Sequence, residues 1–319
     1  MDRRRFVVAL TGVLAVPRGA HAQAPAKGAR IGVLATEFPE ALRQALRDLG
    51  YVEGRNLVLE MRSTQGRADR VDDLARELAR LQVGVIVATY PAAVFGARRA
   101  TATIPIVMVH TPDPVQLGLV ASLARPGGNI TGVTSLSADL SVKQIQLLRE
   151  AVPRASRIAM LWNPDSPWHP LVVKALQNEE RVRGVHLQML EIRRPEELDA
   201  VFQALVRERA EAALALADPM TFAHRSRLAD LATRHRIPMM GGLRPYTEAG
   251  CLMSYWADEG ELYRRAATYV DRILKGASPA SLPIEQPTQY QLVVNLRTAR
   301  ALGLVIPSAL LARADHVIR

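Results

Sequence analysis

Short aliphatic runs alternate with stretches of helical periodicity along most of the chain, and this alternation limits the fold more than any other feature. Runs at 30–35, 56–61, 84–88, 105–109 and 130–134 read as strands, followed by 157–162, 185–191, 212–216, 237–240 and 252–255. Between them lie segments such as VDDLARELARL, apolar at i, i+3, i+4 and i+7. Alternation of this length predicts the α/β class, with parallel sheets covered by helices on both faces. At 319 residues the chain exceeds a usual single core. ARIGVLATEFPEAL at Ala29 is echoed by SRIAMLWNPDSPWH at Ser156: an Arg, a buried strand, a loop and a proline near a helix start. Two similar lobes are therefore expected, the second sheet beginning near residue 156 after the helix SVKQIQLLREAV. DEGELYRRAATYVDRILKG predicts a long amphipathic helix, and SPASLPIEQPTQ, without hydrophobic period, an extended crossing segment. QLVVNLRTARALGL adds one more strand and helix.

The first 22 residues stand apart from this pattern. MDRRRF is basic, VVALTGVLAV is a short apolar run, and Ala20-His21-Ala22 offers a cleavage site before Gln23. This is the pattern of a secretory signal, too short for a membrane span. Arg3-Arg4-Arg5-Phe6 also fits the core of a twin-arginine export signal, although Asp2 precedes it where Ser or Thr is usual. Cleavage would remove four Arg and one Asp, taking the net charge from +10 to +7. The remaining basic residues, such as Arg43, Arg47, Arg76 and Arg80, are spread over helix faces without a Lys/Arg block. They describe a solvated surface and no nucleic-acid partner. Cys251 is the single cysteine, so no internal disulfide forms, and none lies near the cleavage site to carry a lipid. The expected product is a soluble, untethered periplasmic protein.

Ligands of open α/β sheets bind beyond the carboxyl ends of the strands. That rule selects Thr36-Glu37, Ser63-Thr64, Thr89-Tyr90-Pro91, His110–Pro114, Asn163–Ser166, Asp218-Pro219 and Gly241–Arg244. Several of these loops lead into a helix, whose first N–H groups suit a carboxylate; ordinary helix capping is the other reading. Enzymatic signatures are absent. ATEFPE follows the first strand in place of G-x-G-x-x-G, and there is no phosphate-binding G-x-x-x-x-G-K-[ST] and no G-x-S-x-G elbow. The seven histidines have no metal-ligand spacing, so neither a metal nor a cofactor is expected. HTPDPVQLGLVASLARPGGNITGV reads as a strand exit, a cleft loop, a helix, a turn at Gly127-Gly128 and a crossing strand. His110 is either a cleft-lining or a packed histidine. Asp113, between two prolines, either binds a ligand amine or caps the next helix. Tyr90, Trp162, Tyr246 and Trp256 fall at strand ends, where flat rings either stack on a ligand or pack at an edge.

LRDLGYVEGRNLVLE, IPIVMVHTPDPVQLGLVASLARPGGNITGVTSL, LWNP, LADPMTFAHRSRLADLATRHRIP, RRAATYVDRILKG, LPIEQPT and LARADHVI together resemble the ABC-transporter solute-binding family whose better-known members take up tryptophan or tyrosine. The resemblance runs from about Ile31 to the C terminus. It implies a type I periplasmic-binding fold: two doubly wound lobes with parallel sheets, joined by three crossing strands near Thr134–Ser135, Ser254–Tyr255 and Glu285–Thr288. The implied lobes are residues 28–134 with 256–284, and 135–255 with 285–319. The implied function is monomeric capture of a small amino-acid-like or aromatic solute for an ABC permease, or ligand sensing with the same clamshell. The candidate ligand-binding residues are Thr36, Thr89, Tyr90, Pro91, Ala92, His110, Asp113, Ser135, Asn163, Asp218, Gly241, Arg244 and Trp256. The chain departs from the family where EAGCLMSYW places Cys251 and Trp256 at usual glycines, and where Ser63 stands at a frequent aromatic. A Trp at the cleft would narrow it or add a stacking face.

Overall fold

The computed structural model describes residues 28–135 and 138–319, so the expected export signal lies outside the described residues. Five parallel strands form the first sheet: β1 (Ala29–Ala35), β2 (Leu57–Ser63), β3 (Val85–Thr89), β4 (Ile106–Pro112) and β5 (Ile130–Ser135). Their order is β2-β1-β3-β4-β5. Seven strands form the second: β6 (Arg157–Trp162), β7 (His186–Glu191), β8 (Ala212–Ala215), β9 (Met239–Gly241), β10 (Met253–Ala257), β11 (Tyr290–Asn295) and β12 (His316–Ile318). Their order is β12-β11-β10-β9-β8-β6-β7, parallel throughout except between β10 and β11.

The central strands are apolar on both faces because helices cover both. β3 (VIVAT) and β8 (AALA) are buried at every position. The helix Val71–Arg80 shows why these segments choose helix. Val71, Leu74, Ala75 and Leu78 fall on one stripe, Asp72 and Asp73 occupy the first turn, and Arg80 the last. That charge order suits the helix dipole, and the stripe packs under the sheet with Leu34, Ile86 and Met108. Full burial of a side chain such as Leu78 contributes about 1.5–3 kcal/mol.

The chain passes between the sheets repeatedly. After β10 it returns to the first sheet, where the helix Glu259–Leu274 packs beside Glu40–Asp48, β4 and β5. The Pro-bearing segment then crosses back. The Ile284 N–H donates to Leu123 O, and Glu285 pairs with Val133 before β11 joins the second sheet. Type I periplasmic-binding topology, as expected from the sequence, is what these passages build.

One local expectation fails. No helix forms between β4 and β5: residues 114–118 make turns. Pro112 and Pro114 lack N–H donors, and Gly118, at φ +65°, interrupts the short apolar run before a helix can propagate. β12 was not anticipated; three residues carry too little periodicity to register.

Candidate functional site

The parallel register of the first sheet brings two hydroxyls to one place. Ala35 lies opposite Ser63, so the loops beyond β1 and β2 emerge side by side. They are clipped together: Ser63 Oγ donates to Thr36 O at 2.6 Å, and the Thr64 N–H donates to Ala35 O at 2.9 Å. Both Thr36 Oγ1 and Thr64 Oγ1 are buried and find no protein hydrogen-bond partner. Beside them starts the helix Tyr90–Ala100, whose N-cap, Thr89, makes no side-chain cap. Pro91 has no N–H, and Ala92 presents a free amide in that first turn.

The second sheet supplies the opposite wall. His169 is fully buried; the Asn163 N–H donates to its Nδ1 at 2.9 Å, and its Nε2 lies 3.2 Å from Ala217 O. The ring is therefore neutral with its proton on Nε2, and burial holds its pKa below the usual imidazole range. This histidine ties the loop after β6 to the loop after β8. There, Asp218 Oδ1 accepts from the Met220 N–H at 2.8 Å, while Oδ2 faces Asn163 Nδ2 at 3.3 Å. Asp218 is buried and makes no ion pair among the described residues.

Between these walls lies a cavity of about 50 Å³, lined by Thr36, Thr64, Gly66, Tyr90, Ala92, Asn163, Trp168 and Asp218 among others. The sheets meet directly around it. At Gly66, φ +77°, an added Cβ would lie 2.8 Å from Pro219 O and 2.8 Å from the Ala223 Cβ. Arg225 forms two hydrogen bonds to Glu37 across the same seam, at 2.8 and 3.1 Å. One apolar cluster runs unbroken from Val33 and Val87 through Tyr90 and Met220 to Tyr246.

The sequence candidates thus separate into groups. Thr36, Thr89, Tyr90, Pro91, Ala92, Asn163 and Asp218 line this cavity together. His110 joins Thr36, Thr89 and Tyr90 around a second, more open space of about 460 Å³. Arg244 and Trp256 border a third, of about 320 Å³, near the crossing at Asp258. Gly241 is covered by Tyr246, whose Cβ would lie 2.3 Å from an added Cβ. Ser135 ends β5 with its hydroxyl buried and without a protein partner. Asp113 is exposed beyond β4, where its carbonyl accepts from the Leu117 N–H, and it lines none of the three spaces. Tyr90 stacks on His110, centroids 5.5 Å apart, and Tyr246 OH pairs with Thr221 Oγ1 at 2.8 Å. Thr64, Trp168 and His169 were not among the candidates. Thr64 sits in a loop the strand-end rule had selected, whereas Trp168 and His169 follow theirs by a turn and carry no local signal.

A two-lobed α/β clamshell, with a polar cavity where strand ends of both sheets face each other, is the architecture of a solute-binding protein. The sequence model of the ABC transporter substrate binding protein family matches residues 36–318, and the chain belongs to that family. It is 24% identical over 262 residues to a tyrosine-binding protein of Clostridioides difficile, covering 82% of this chain and 75% of the relative. Among solved structures, a conserved domain protein from Vibrio cholerae superposes with a TM-score of 0.84 at 28% identity, over 91% of this chain and 100% of that one. The ABC domain from Streptococcus pneumonia in complex with L-Trp gives a TM-score of 0.83 at 22% identity and the same coverage. The family is one of binding proteins, not of enzymes. Among the described residues, no helix is long and apolar enough to cross a membrane, and no metal-binding cluster occurs.

Proposed function

We propose that the protein captures a small zwitterionic solute of the α-amino-acid type between its lobes and hands it to an ABC permease, acting as a periplasmic monomer after export. One observation carries the ligand chemistry. The buried Asp218 carboxylate has no cationic partner among the described residues, and it shares its cavity with two unpartnered hydroxyls and an uncapped helix start. A buried charge without a counter-charge is unfavourable by several kcal/mol, so the site favours an incoming cation. A ligand ammonium answers Asp218 and Asn163. A ligand carboxylate answers Thr36, Thr64 and the amide of Ala92 at the positive end of the helix. The clostridial relative binds tyrosine by name, and the streptococcal domain holds L-Trp, both α-amino acids.

The lobes are residues 28–134 with 256–284 and residues 135–255 with 285–319, hinged at the crossings. A ligand shifts the lobes toward closure only by its differential affinity for the closed form. Thermal-shift titration with the proteinogenic amino acids tests this reading. A ligand present at 100 times its Kd adds about 2.7 kcal/mol of stability. A melting temperature indifferent to all of them would overturn it.

A further inference from the structure

Tyr90 divides the space between the lobes. With Thr36 and Thr89 it borders both the polar cavity of about 50 Å³ and the open space of about 460 Å³. Its side chain is buried, and its ring lies nearly parallel to that of His110, at an interplanar angle of 22°. His110 is held in turn by the edge of Tyr263, centroids 5.7 Å apart. The Tyr90 backbone is left-handed at φ +67°. A non-glycine residue stays there only where its surroundings impose it. The ring is therefore a fixed partition, since rotating it away would break the stack that holds it.

This partition bears on ligand size. Of the anchoring groups, Asp218 and Thr64 line only the smaller side, and Thr36 borders both. A dry cavity of about 150 Å³ accommodates benzene, and the volume here is about a third of that. The buried Trp168 and Val71 and the seam at Gly66 form further walls of this cavity, and the exposed Arg67 and Asp165 stand at its open rim. Of the carboxylates lining the larger space, Glu259 alone has no Lys or Arg partner among the described residues, and it lies 3.5 Å from His110 Nε2. Thr64 and the Ala92 amide, the groups suited to a ligand carboxylate, lie outside that space. Its Glu37, Glu40 and Glu248 are already paired with Arg225, Arg43 and Arg244.

We infer that Tyr90 limits the ligand side chain, so that this site takes small α-amino acids such as glycine, alanine or serine in preference to aromatic ones. This rests on the amino-acid reading of the cavity. The test is calorimetric titration of the full mature chain with glycine, L-alanine, L-serine, L-tyrosine and L-tryptophan, repeated on Tyr90→Gly, since glycine adopts the left-handed backbone without strain. In the wild type, at least one small amino acid should bind at least about tenfold more tightly than either aromatic one. In Tyr90→Gly, shown folded by its cooperative melting, the preference should move toward the aromatic ligands by about tenfold or more. Equal or tighter aromatic binding by the wild type overturns the size limit. An unchanged preference in the folded variant overturns the role of Tyr90. Silence from every amino acid, a different outcome from reversed selectivity, overturns the amino-acid reading and the size limit with it.

Discussion

The indole Nε1–H of Trp256 donates to His110 Nδ1 at 3.3 Å, joining β10 of the second sheet to β4 of the first. The bond exists because β4 bulges. Its register against β5 shifts between Met108 and Thr111, and His110 takes a left-handed φ of +55°. A bulge re-aims a side chain that regular pleating would point elsewhere. Here it turns the imidazole toward the crossing, where Tyr90, Trp256 and Tyr263 surround it.

Trp256→Phe keeps an aromatic ring but removes the donor, leaving a buried imidazole nitrogen without a partner. Such a loss costs about 1–3 kcal/mol. The urea midpoint should fall with an unchanged m-value, and an unaltered midpoint would show the bond to be energetically idle.

Glu259 Oε1 lies 3.5 Å from His110 Nε2. Burial, then Glu248 and Asp258, push the Glu259 pKa up to about 7, while burial lowers that of His110 to about 4. Above 4.5, the unfolded value, the folded state holds the Glu259 proton more tightly than the unfolded chain does. This contribution to stability therefore falls as pH rises through 7. His110 acts oppositely, destabilising the fold as pH drops from 6.5 toward 4. The Glu259 side chain is 34% exposed, so water screens part of its effect. Glu259→Gln should gain stability relative to wild type as pH rises across that upper window. Denaturation series at several pH values measure this, and parallel wild-type and variant profiles would contradict it.

Asp218→Asn retains a side-chain oxygen to cap the Met220 N–H but loses the charge. Binding of an amino acid should weaken by about 2–5 kcal/mol, the usual consequence of removing one partner from a buried charge pair. The ligand-free protein should be as stable as wild type or more so, because an uncompensated buried carboxylate has gone. Calorimetry and melting curves on the same sample separate the two effects; a fall in both would mark Asp218 as structural.

Gly66→Ala places a methyl group against Pro219 O and Ala223 at a position with φ +77°. Both effects act against closure, which lowers the fraction of molecules competent to enclose ligand and weakens apparent affinity in proportion, by about tenfold. Small-angle scattering should show less contraction on adding ligand than in wild type. Equal contraction would place the closing contact elsewhere.

Most of the fold was legible because strand and helix periodicities are local. The run read at 157–162 coincides with β6, and DEGELYRRAATYVDRILKG contains the helix Glu259–Leu274. The site was legible in part. The strand-end rule selects Thr36, Asn163 and Asp218, which line one cavity because the carboxyl ends of parallel strands face a common crevice. His169 was not, because its work is to join two loops separated by 48 residues. Tyr90 and Trp256 were noticed as rings at strand ends, but the sequence left open whether they meet a ligand or each other's neighbours.

Residue order alone determined which segments become strands, the short β12 excepted, that two sheets form, and which loops gather where the sheets face one another. These follow from hydrophobic period and from the handed connection of parallel strands. Only the tertiary structure decided the direction of each side chain within those loops. A bulge turns His110 toward the crossing, an imposed backbone angle makes Tyr90 a wall, and exposure takes Asp113 away from the cavity. Each depends on contacts between residues far apart in sequence, whose geometry exists only once the two lobes pack.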